Sequence, residues 1–152
     1  MADDTEVLLN FCNQYLDEIR HIENQRAALT NIIILIGSAI VGLIVQKGLT
    51  RGFLMLAILL ILLGIYGAGI TLKLYERYNF FQARLEHCYR HIDELHPNAK
   101  FLHIRDVAYR EHKSRFPRLV KLRVHRLWLA IHIAISLSGV ALIVVILFLS
   151  PG

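Results

Sequence analysis

Histidine is the residue of this sequence best suited to chemistry, with eight copies in 152 residues. His87 and His91 lie four residues apart, so a helix would place both on one face, which Glu94 continues. Two imidazoles and a carboxylate form a partial site for zinc or another transition metal. Such a set on one helix falls short of a full site. We therefore interpret these side chains as solvated and predict no metal and no cofactor.

A second spacing of interest joins Arg105 to His112, with Asp106 directly after the arginine. Some helical ribonucleases of the HEPN class use a comparable arginine–histidine pair, although Arg118 and His125 repeat the same spacing. The sequence contains no glycine-rich phosphate loop, no serine-centred elbow and no HExxH motif. The chain is therefore predicted not to be an enzyme, and a membrane-bound ribonuclease is the catalytic alternative.

Three apolar blocks without any charged residue dominate the sequence, at residues 27–45, 52–72 and 127–149. Hydrophobic residues make up 55% of the chain, a larger fraction than in typical soluble domains, and the mean hydropathy is +0.47. Because about 20 helical residues cross the hydrocarbon layer, each block is long enough to span it. A water-soluble enzyme with one central core is therefore not expected. We predict an all-α membrane protein with three transmembrane helices.

The distribution of basic residues indicates how these spans are oriented. Of the 17 Lys and Arg residues, 13 lie in segment 73–126, which the positive-inside rule places in the cytoplasm. Segment 1–26 is then cytoplasmic, whereas the short loop 46–51 and the tail 150–152 lie outside. We expect a multi-pass protein of the inner (plasma) membrane with its N-terminus in the cytoplasm.

Helix signals extend two of the spans into the cytoplasm. One helix is predicted over residues 6–45 and another over 52–95, which ends before His96-Pro97 because the residue before proline disfavours helical geometry. A return helix is predicted over 99–115, and Pro117 is predicted to open the helix of the third span. Segment 73–126 would therefore form a long helical hairpin.

Apolar residues in both cytoplasmic segments recur at alternating steps of three and four, the pattern of a coiled-coil-like seam. Segment 1–26 carries six acids and two bases, and segment 73–126 carries 13 bases and six acids, so the two should attract each other. We predict that they pack into a cytoplasmic helical bundle. Its seam consists of Leu8, Cys12, Tyr15, Ile19, Ile22, Tyr78, Phe81, Leu85, Cys88 and Ile92.

Small and weakly polar residues recur at helical spacing within each span. Such residues let membrane helices approach closely and form hydrogen bonds across the contact, so helix packing is the first interpretation. The alternative is that they line a narrow aqueous path in an oligomer, which His132 favours because ionisable residues inside a membrane are rare and often functional. The stripe consists of Asn31, Ser38, Gly42, Gly64, Ala68, Thr71, His132, Ser136 and Gly139.

The positive charge of the cytoplasmic segments suits anionic lipid head groups. A basic surface beside a membrane is expected without nucleic acid, so nucleic-acid binding is not predicted. The candidates for contact with lipid or with a protein partner are Arg84, Arg90, Arg118 and Lys121.

The second span continues into a polar helix that begins Leu74-Tyr75-Glu76-Arg77-Tyr78-Asn79-Phe80-Phe81-Gln82-Ala83-Arg84. With the N-terminal helix and the tight two-span hairpin, this stretch resembles small bacterial membrane proteins of the SLATT type. The resemblance covers roughly residues 5–95, and this chain adds a third span. SLATT-type proteins occur beside nucleotide-signalling defence systems, and the resemblance implies a pore-forming or membrane-disrupting effector.

These observations lead to one leading hypothesis and one main alternative. We expect a homo-oligomeric, defence-associated effector in the lipid bilayer that forms or gates a pore. Its cytoplasmic bundle would control it in response to a cytoplasmic protein or a nucleotide. The alternative is a non-conducting, membrane-tethered adaptor that docks a cytoplasmic partner.

Overall fold

A computed structural model describes residues 2–149 of the chain, with side chains over residues 5–148. Within that range the chain forms four α-helices and one short 3-10 helix and contains no β-strand. The outer tail expected at residues 150–152 lies outside the described residues. The α-helices are α1 (Ala2–Lys47), α2 (Leu54–Leu95), α3 (Phe101–Arg115) and α4 (Val124–Leu149), and the 3-10 helix is Arg51–Phe53.

Three of the helices, α1, α2 and α4, are long and apolar enough to cross a membrane. α1 and α4 each contain a whole charge-free block, and α2 contains the second block apart from Gly52 and Phe53, which lie in the 3-10 helix. A helix is the expected form for such a block, because in hydrocarbon every backbone N–H and C=O must be satisfied within the protein. The predicted all-helical fold with three candidate spans is therefore confirmed.

The chain divides into two compact units. The polar unit comprises the residues up to Asn24 together with Tyr75–Arg123, and the apolar unit comprises Gln25–Leu74 together with the residues from Val124 onward. α1 continues from a polar segment into an apolar block and α2 from an apolar block into a polar segment, and no proline interrupts either helix. The polar unit thus collects the charged helical segments, and the apolar unit collects the candidate spans.

A cluster of buried apolar side chains holds α1 against α2 in the polar unit. Cys12 and Ile19 of α1 meet Leu85, Cys88 and Ile92 of α2. Residues three and four apart lie on one side of a helix, so the alternating steps in the sequence bring these side chains into one seam. The partly buried side chains around the cluster are Leu8, Tyr15, Leu16, Tyr78, Phe81 and Tyr89. Of the predicted seam, Ile22 is fully buried but lies outside this cluster.

A tight turn connects α2 to α3, and a side chain of α2 caps the start of α3. α2 ends at Leu95, before His96-Pro97 as the sequence predicts, and Lys100 adopts a left-handed conformation with φ 49°. α3 begins at Phe101, two residues later than predicted, and the side chain of Lys100 does not cap it. The carboxylate of Asp93 accepts hydrogen bonds from the backbone N–H of Phe101 at 2.6 Å and of Leu102 at 3.0 Å. Asp93 therefore satisfies two of the N–H groups that the start of α3 leaves open.

Replacing Asp93 with alanine should weaken the α2–α3 connection by about 1–2 kcal/mol, because two backbone donors lose a charged acceptor. The expected result is faster hydrogen exchange at the Phe101 and Leu102 amides. Glu94→Ala is the matched control, since Glu94 is an exposed neighbour whose carboxylate contacts the His91 ring at 3.1 Å and no backbone N–H of α3 among the described residues. Equal exchange rates in the two variants would contradict the role assigned to Asp93.

The third long helix begins later than the sequence suggests. The prediction that Pro117 opens this helix is wrong, because α4 begins at Val124. The intervening segment is made of turns, including a bond from Val120 N–H to Phe116 C=O at 3.1 Å. No Ser, Thr, Asp or Asn lies between Ser114 and α4, so no side chain there is of the type that caps a helix. Proline alone is an insufficient start signal here.

The apolar unit packs through aliphatic side chains from all three of its helices. Ile40 and Ile44 of α1 are buried together with Leu60 of α2, and Ile135 and Leu142 of α4 pack against them. These buried side chains define the inward face of each helix. The polar side chains of the same helices lie either between the helices or on their outward faces.

Candidate functional site

The central polar contact of the apolar unit joins α1 to α4. The ring of His132 is 1% exposed, and its Nε2 lies 3.3 Å from Oγ1 of Thr30, which is also buried. Nδ1 of His132 is buried without a hydrogen-bond partner among the described residues. A buried N–H without an acceptor is costly. The geometry thus favours the tautomer in which Nε2–H donates to Thr30 Oγ1.

Glycine on α2 makes room for this histidine. A Cβ added at Gly67 would collide with Nδ1 of His132, and it would lie 2.8 Å from Cδ1 of Ile33. The imidazole therefore rests directly on the backbone of α2. No space remains at this position for a ligand or a water path.

A second close approach lies further along α2 and α4. Ser136 donates a hydrogen bond to the backbone oxygen of Ile61 at 3.1 Å. A Cβ at Gly64 would lie 2.6 Å from the backbone oxygen of His132, and one at Gly139 would lie 2.8 Å from the backbone oxygen of Ala57. Small residues thus let the two backbones pack without intervening side chains.

A buried arginine extends the polar contact between α1 and α4. Arg26 is 7% exposed, and its guanidinium carbon lies 5.5 Å from the centroid of the Trp128 ring. Arg26 and Thr30 are one turn apart on α1, and Trp128 and His132 are one turn apart on α4. Sequence reasoning missed Arg26, Thr30 and Gly67 as members of this set. The matching four-residue spacing on both helices was the available signal.

The structure separates the small-residue stripe predicted from the sequence into two groups. Gly64, Thr71, His132 and Gly139 are buried inside the unit, while Ser136 and Ala68 are half-buried. In contrast, Asn31, Ser38 and Gly42 are exposed on the outer face of α1. Packing within one chain therefore accounts for the stripes of α2 and α4. It leaves the stripe of α1 unexplained.

An apolar groove lies beside this outer face, between α1 and α4. Its volume is about 600 Å³. It is lined by Gly37, Ser38, Gly42, Leu60, Ile135 and Ser138 among others. A Cβ at Gly42 would have no atom within 4 Å, so this side of α1 has room for a further helix or chain.

The sequence candidates for chemistry in the polar unit are engaged in surface contacts. Nδ1 of His91 pairs with Glu94, and within the described residues no group of three or more His, Cys, Asp or Glu side chains could hold a metal ion. Arg105 contacts Asp106 at 3.0 Å and Glu86 at 4.0 Å. Its proposed ribonuclease partner His112 packs on Phe116 instead, with 5.2 Å between ring centroids, and His87 is exposed.

The four basic candidates for lipid or partner contact fall into two pairs. The guanidinium carbon of Arg84 lies 4.4 Å from the centroid of the Phe80 ring, and Arg90 lies 3.6 Å from Glu86. Arg118 and Lys121 are exposed in the turn between α3 and α4. All four are exposed, but Arg84 and Arg90 contact neighbouring side chains, whereas Arg118 and Lys121 form no ion pair with any described residue.

Comparison with known proteins does not extend this picture. No protein-family model matches the chain, and no curated protein or solved structure matches it. The function is therefore argued from the chemistry of its own residues.

The two cysteines meet at the centre of the polar unit. Both are reduced and buried, and their thiols are hydrogen-bonded to each other. Burial and the neighbouring Cys88 raise the pKa of the Cys12 thiol from 9.0 to about 12. Burial together with both thiols also raises the pKa of Tyr89. The thiols therefore act as packed apolar groups rather than as nucleophiles.

Proposed function

We propose that this chain is an oligomeric membrane effector that forms or gates a pore, with the outer face of α1 in contact with further copies. The observation that carries the proposal is the exposed carboxamide of Asn31 inside a charge-free block of 19 residues, 27–45. An amide that faces hydrocarbon lacks a hydrogen-bond partner, which is costly. The same amide on a neighbouring copy supplies one.

Two further features of α1 support contact between copies. Ser38 and Gly42 continue the face of Asn31 along the helix, at spacings of seven and four residues. Small and hydroxyl-bearing residues in such a row are typical of helix contacts in membranes. Packing of α1 faces from several copies would place Asn31 and Ser38 at the contact or at a central path.

The orientation and the role in defence are parts of the same proposal. The excess of basic residues in segment 73–126 supports a cytoplasmic polar unit in the inner (plasma) membrane. The resemblance to SLATT-type proteins supports a defence-associated effector. A cytoplasmic protein or a nucleotide that binds the polar unit would then open or close the pore.

Asn31→Leu is expected to lower the association constant between copies about 5- to 30-fold. This factor corresponds to the loss of one interhelical hydrogen bond of about 1–2 kcal/mol in a membrane. Dye release from vesicles that contain the purified protein should fall with it. Tyr66→Phe is the matched control. It also removes a polar group from an exposed position within a candidate span, because Tyr66 is 62% exposed on α2.

Two outcomes would count against the proposal, and they have different consequences. Unchanged dye release in Asn31→Leu would show that the outer face of α1 is not needed for pore formation. A wild-type particle with the mass of one copy in nanodiscs would remove the pore itself, because three spans are too few to enclose a water-filled path.

A membrane-tethered adaptor is the second candidate function. It is favoured by exposed apolar side chains on the polar unit, where Val7, Phe11 and Leu95 surround a groove of about 300 Å³. Exposed apolar patches of this kind often mark protein contacts. A stoichiometric cytoplasmic protein that co-purifies with a chain unable to release dye would favour the adaptor.

A further inference from the structure

The polar unit contains a strongly basic segment, most of whose cations pair with no acid among the residues that the structure describes. Residues 100–123 carry eight Lys and Arg residues and only two acids, a net charge of +6. Arg105 is held by Glu86 and Asp106, and Arg110 donates a hydrogen bond to the backbone oxygen of Asp106. The others form no ion pair with any described residue: Lys100, Lys113, Arg115, Arg118, Lys121 and Arg123.

The same segment exposes apolar side chains to solvent. α3 contains no buried residue, and Ile104 on it is 61% exposed. Leu119 in the turn that follows is 64% exposed. A water-facing surface seldom combines large aliphatic groups with unpaired cations. That combination is typical of segments that lie in the interface of a bilayer. The other exposed apolar side chains of the segment are Phe101, Val107, Tyr109, Phe116 and Leu122.

Chain connectivity brings the end of this segment to the membrane. Arg123 directly precedes α4, and the charge-free block of that helix begins at Leu127. Four residues of helix rise about 6 Å. The turn that carries Arg118, Lys121 and Arg123 is thus tethered within reach of lipid head groups on the side where α4 begins.

We propose that the end of the basic segment, residues 115–123, binds anionic lipid head groups, with its cations on lipid phosphates and its aliphatic side chains at the acyl boundary. Each Lys or Arg near an anionic surface contributes about 1 kcal/mol. Lipid is favoured over nucleic acid because this end of the segment is joined directly to α4 and exposes the aliphatic groups Leu119 and Leu122. This inference is independent of whether the chain forms a pore.

The test places an environment-sensitive fluorophore on Leu119→Cys in the full-length protein. Cys12 and Cys88 are 3% and 9% exposed, so the label goes to the introduced thiol. The protein is compared in nanodiscs of phosphatidylcholine alone and in nanodiscs that also contain phosphatidylglycerol. We expect a blue-shifted emission and protection from iodide quenching only with the anionic lipid, and loss of both at high salt.

A pair of matched double variants identifies the cations responsible. Arg118→Gln with Lys121→Gln should lower the ratio of bound to unbound segment about five-fold per charge removed. Arg20→Gln with Arg105→Gln removes the same charge from positions in the polar unit that pair with Asp17, Glu86 and Asp106, and should leave the protection unchanged.

Three results would overturn the proposal. Equal protection in both kinds of nanodisc would show that anionic head groups are not recognised. Equal loss of protection in the two double variants would show that lipid binding depends on the total charge of the polar unit and not on this segment. A label that stays open to iodide in anionic nanodiscs, yet is protected when RNA is added, would assign the segment to nucleic acid instead.

Discussion

Alkylation of Cys12 at neutral pH is expected to be about a thousand-fold slower in the folded protein than in the unfolded chain. The thiolate is the reactive species, and its fraction falls ten-fold for each unit by which the pKa rises. Burial and the hydrogen-bonded thiol of Cys88 raise the pKa of Cys12 from 9.0 to about 12. Steric exclusion of the reagent from a side chain that is 3% exposed slows the reaction further.

Peptide-resolved mass spectrometry after timed exposure to iodoacetamide measures this rate. Leu9→Cys provides the control, because position 9 lies on the same helix and is 45% exposed. The introduced thiol should react at the rate of an ordinary cysteine while Cys12 stays unmodified. Similar rates at the two positions would show that the seam between α1 and α2 is open in solution.

The same pKa shift makes stability fall at high pH. The unfolded chain loses the Cys12 proton near pH 9.0, whereas the folded chain keeps it to about pH 12. The stabilisation is therefore complete below the unfolded pKa and decreases by about 1.4 kcal/mol per pH unit across that window. The raised pKa of Tyr89 acts in the same direction. Cys12→Ala should flatten this alkaline decline in a denaturant titration.

The local helix pattern was readable from the sequence because it depends on neighbours along the chain. Alternating steps of three and four place Cys12 and Cys88 on inward faces, and the two side chains do meet. Charge-free blocks of sufficient length identify the three candidate spans. His96-Pro97 ends α2 by a steric rule that involves only adjacent residues.

Contacts between distant residues were not readable, because periodicity defines a face and not its partner. Thr30 and His132 are 102 positions apart, and nothing in either helix alone pairs them. Asp93 caps α3 from the preceding helix, across a turn whose geometry depends on the left-handed Lys100. The prediction that Pro117 opens α4 failed for a related reason. A helix start at proline also depends on a capping side chain, which this segment lacks.

Replacing Gly64 with alanine should destabilise the apolar unit by about 1–3 kcal/mol, the usual cost of overpacking a close contact. The added Cβ would lie 2.6 Å from the backbone oxygen of His132 and 2.7 Å from the backbone nitrogen of Ser136. Backbone atoms of α4 cannot rotate away as the end of a side chain can. The helices must therefore separate, and the Ser136–Ile61 hydrogen bond should weaken with them.

Gly69→Ala is the matched control on the same helix. A Cβ at Gly69 meets no atom within 4 Å, and alanine within a helix is favoured over glycine by about 0.5–1 kcal/mol. The midpoint of unfolding in a mixed-micelle SDS titration should therefore fall for Gly64→Ala and stay level or rise for Gly69→Ala. Adding Ser136→Ala to Gly64→Ala should not restore stability, because the clash with the backbone of α4 remains. Full recovery in that double variant would place the conflict at the Ser136 hydroxyl and contradict direct backbone packing of α2 on α4.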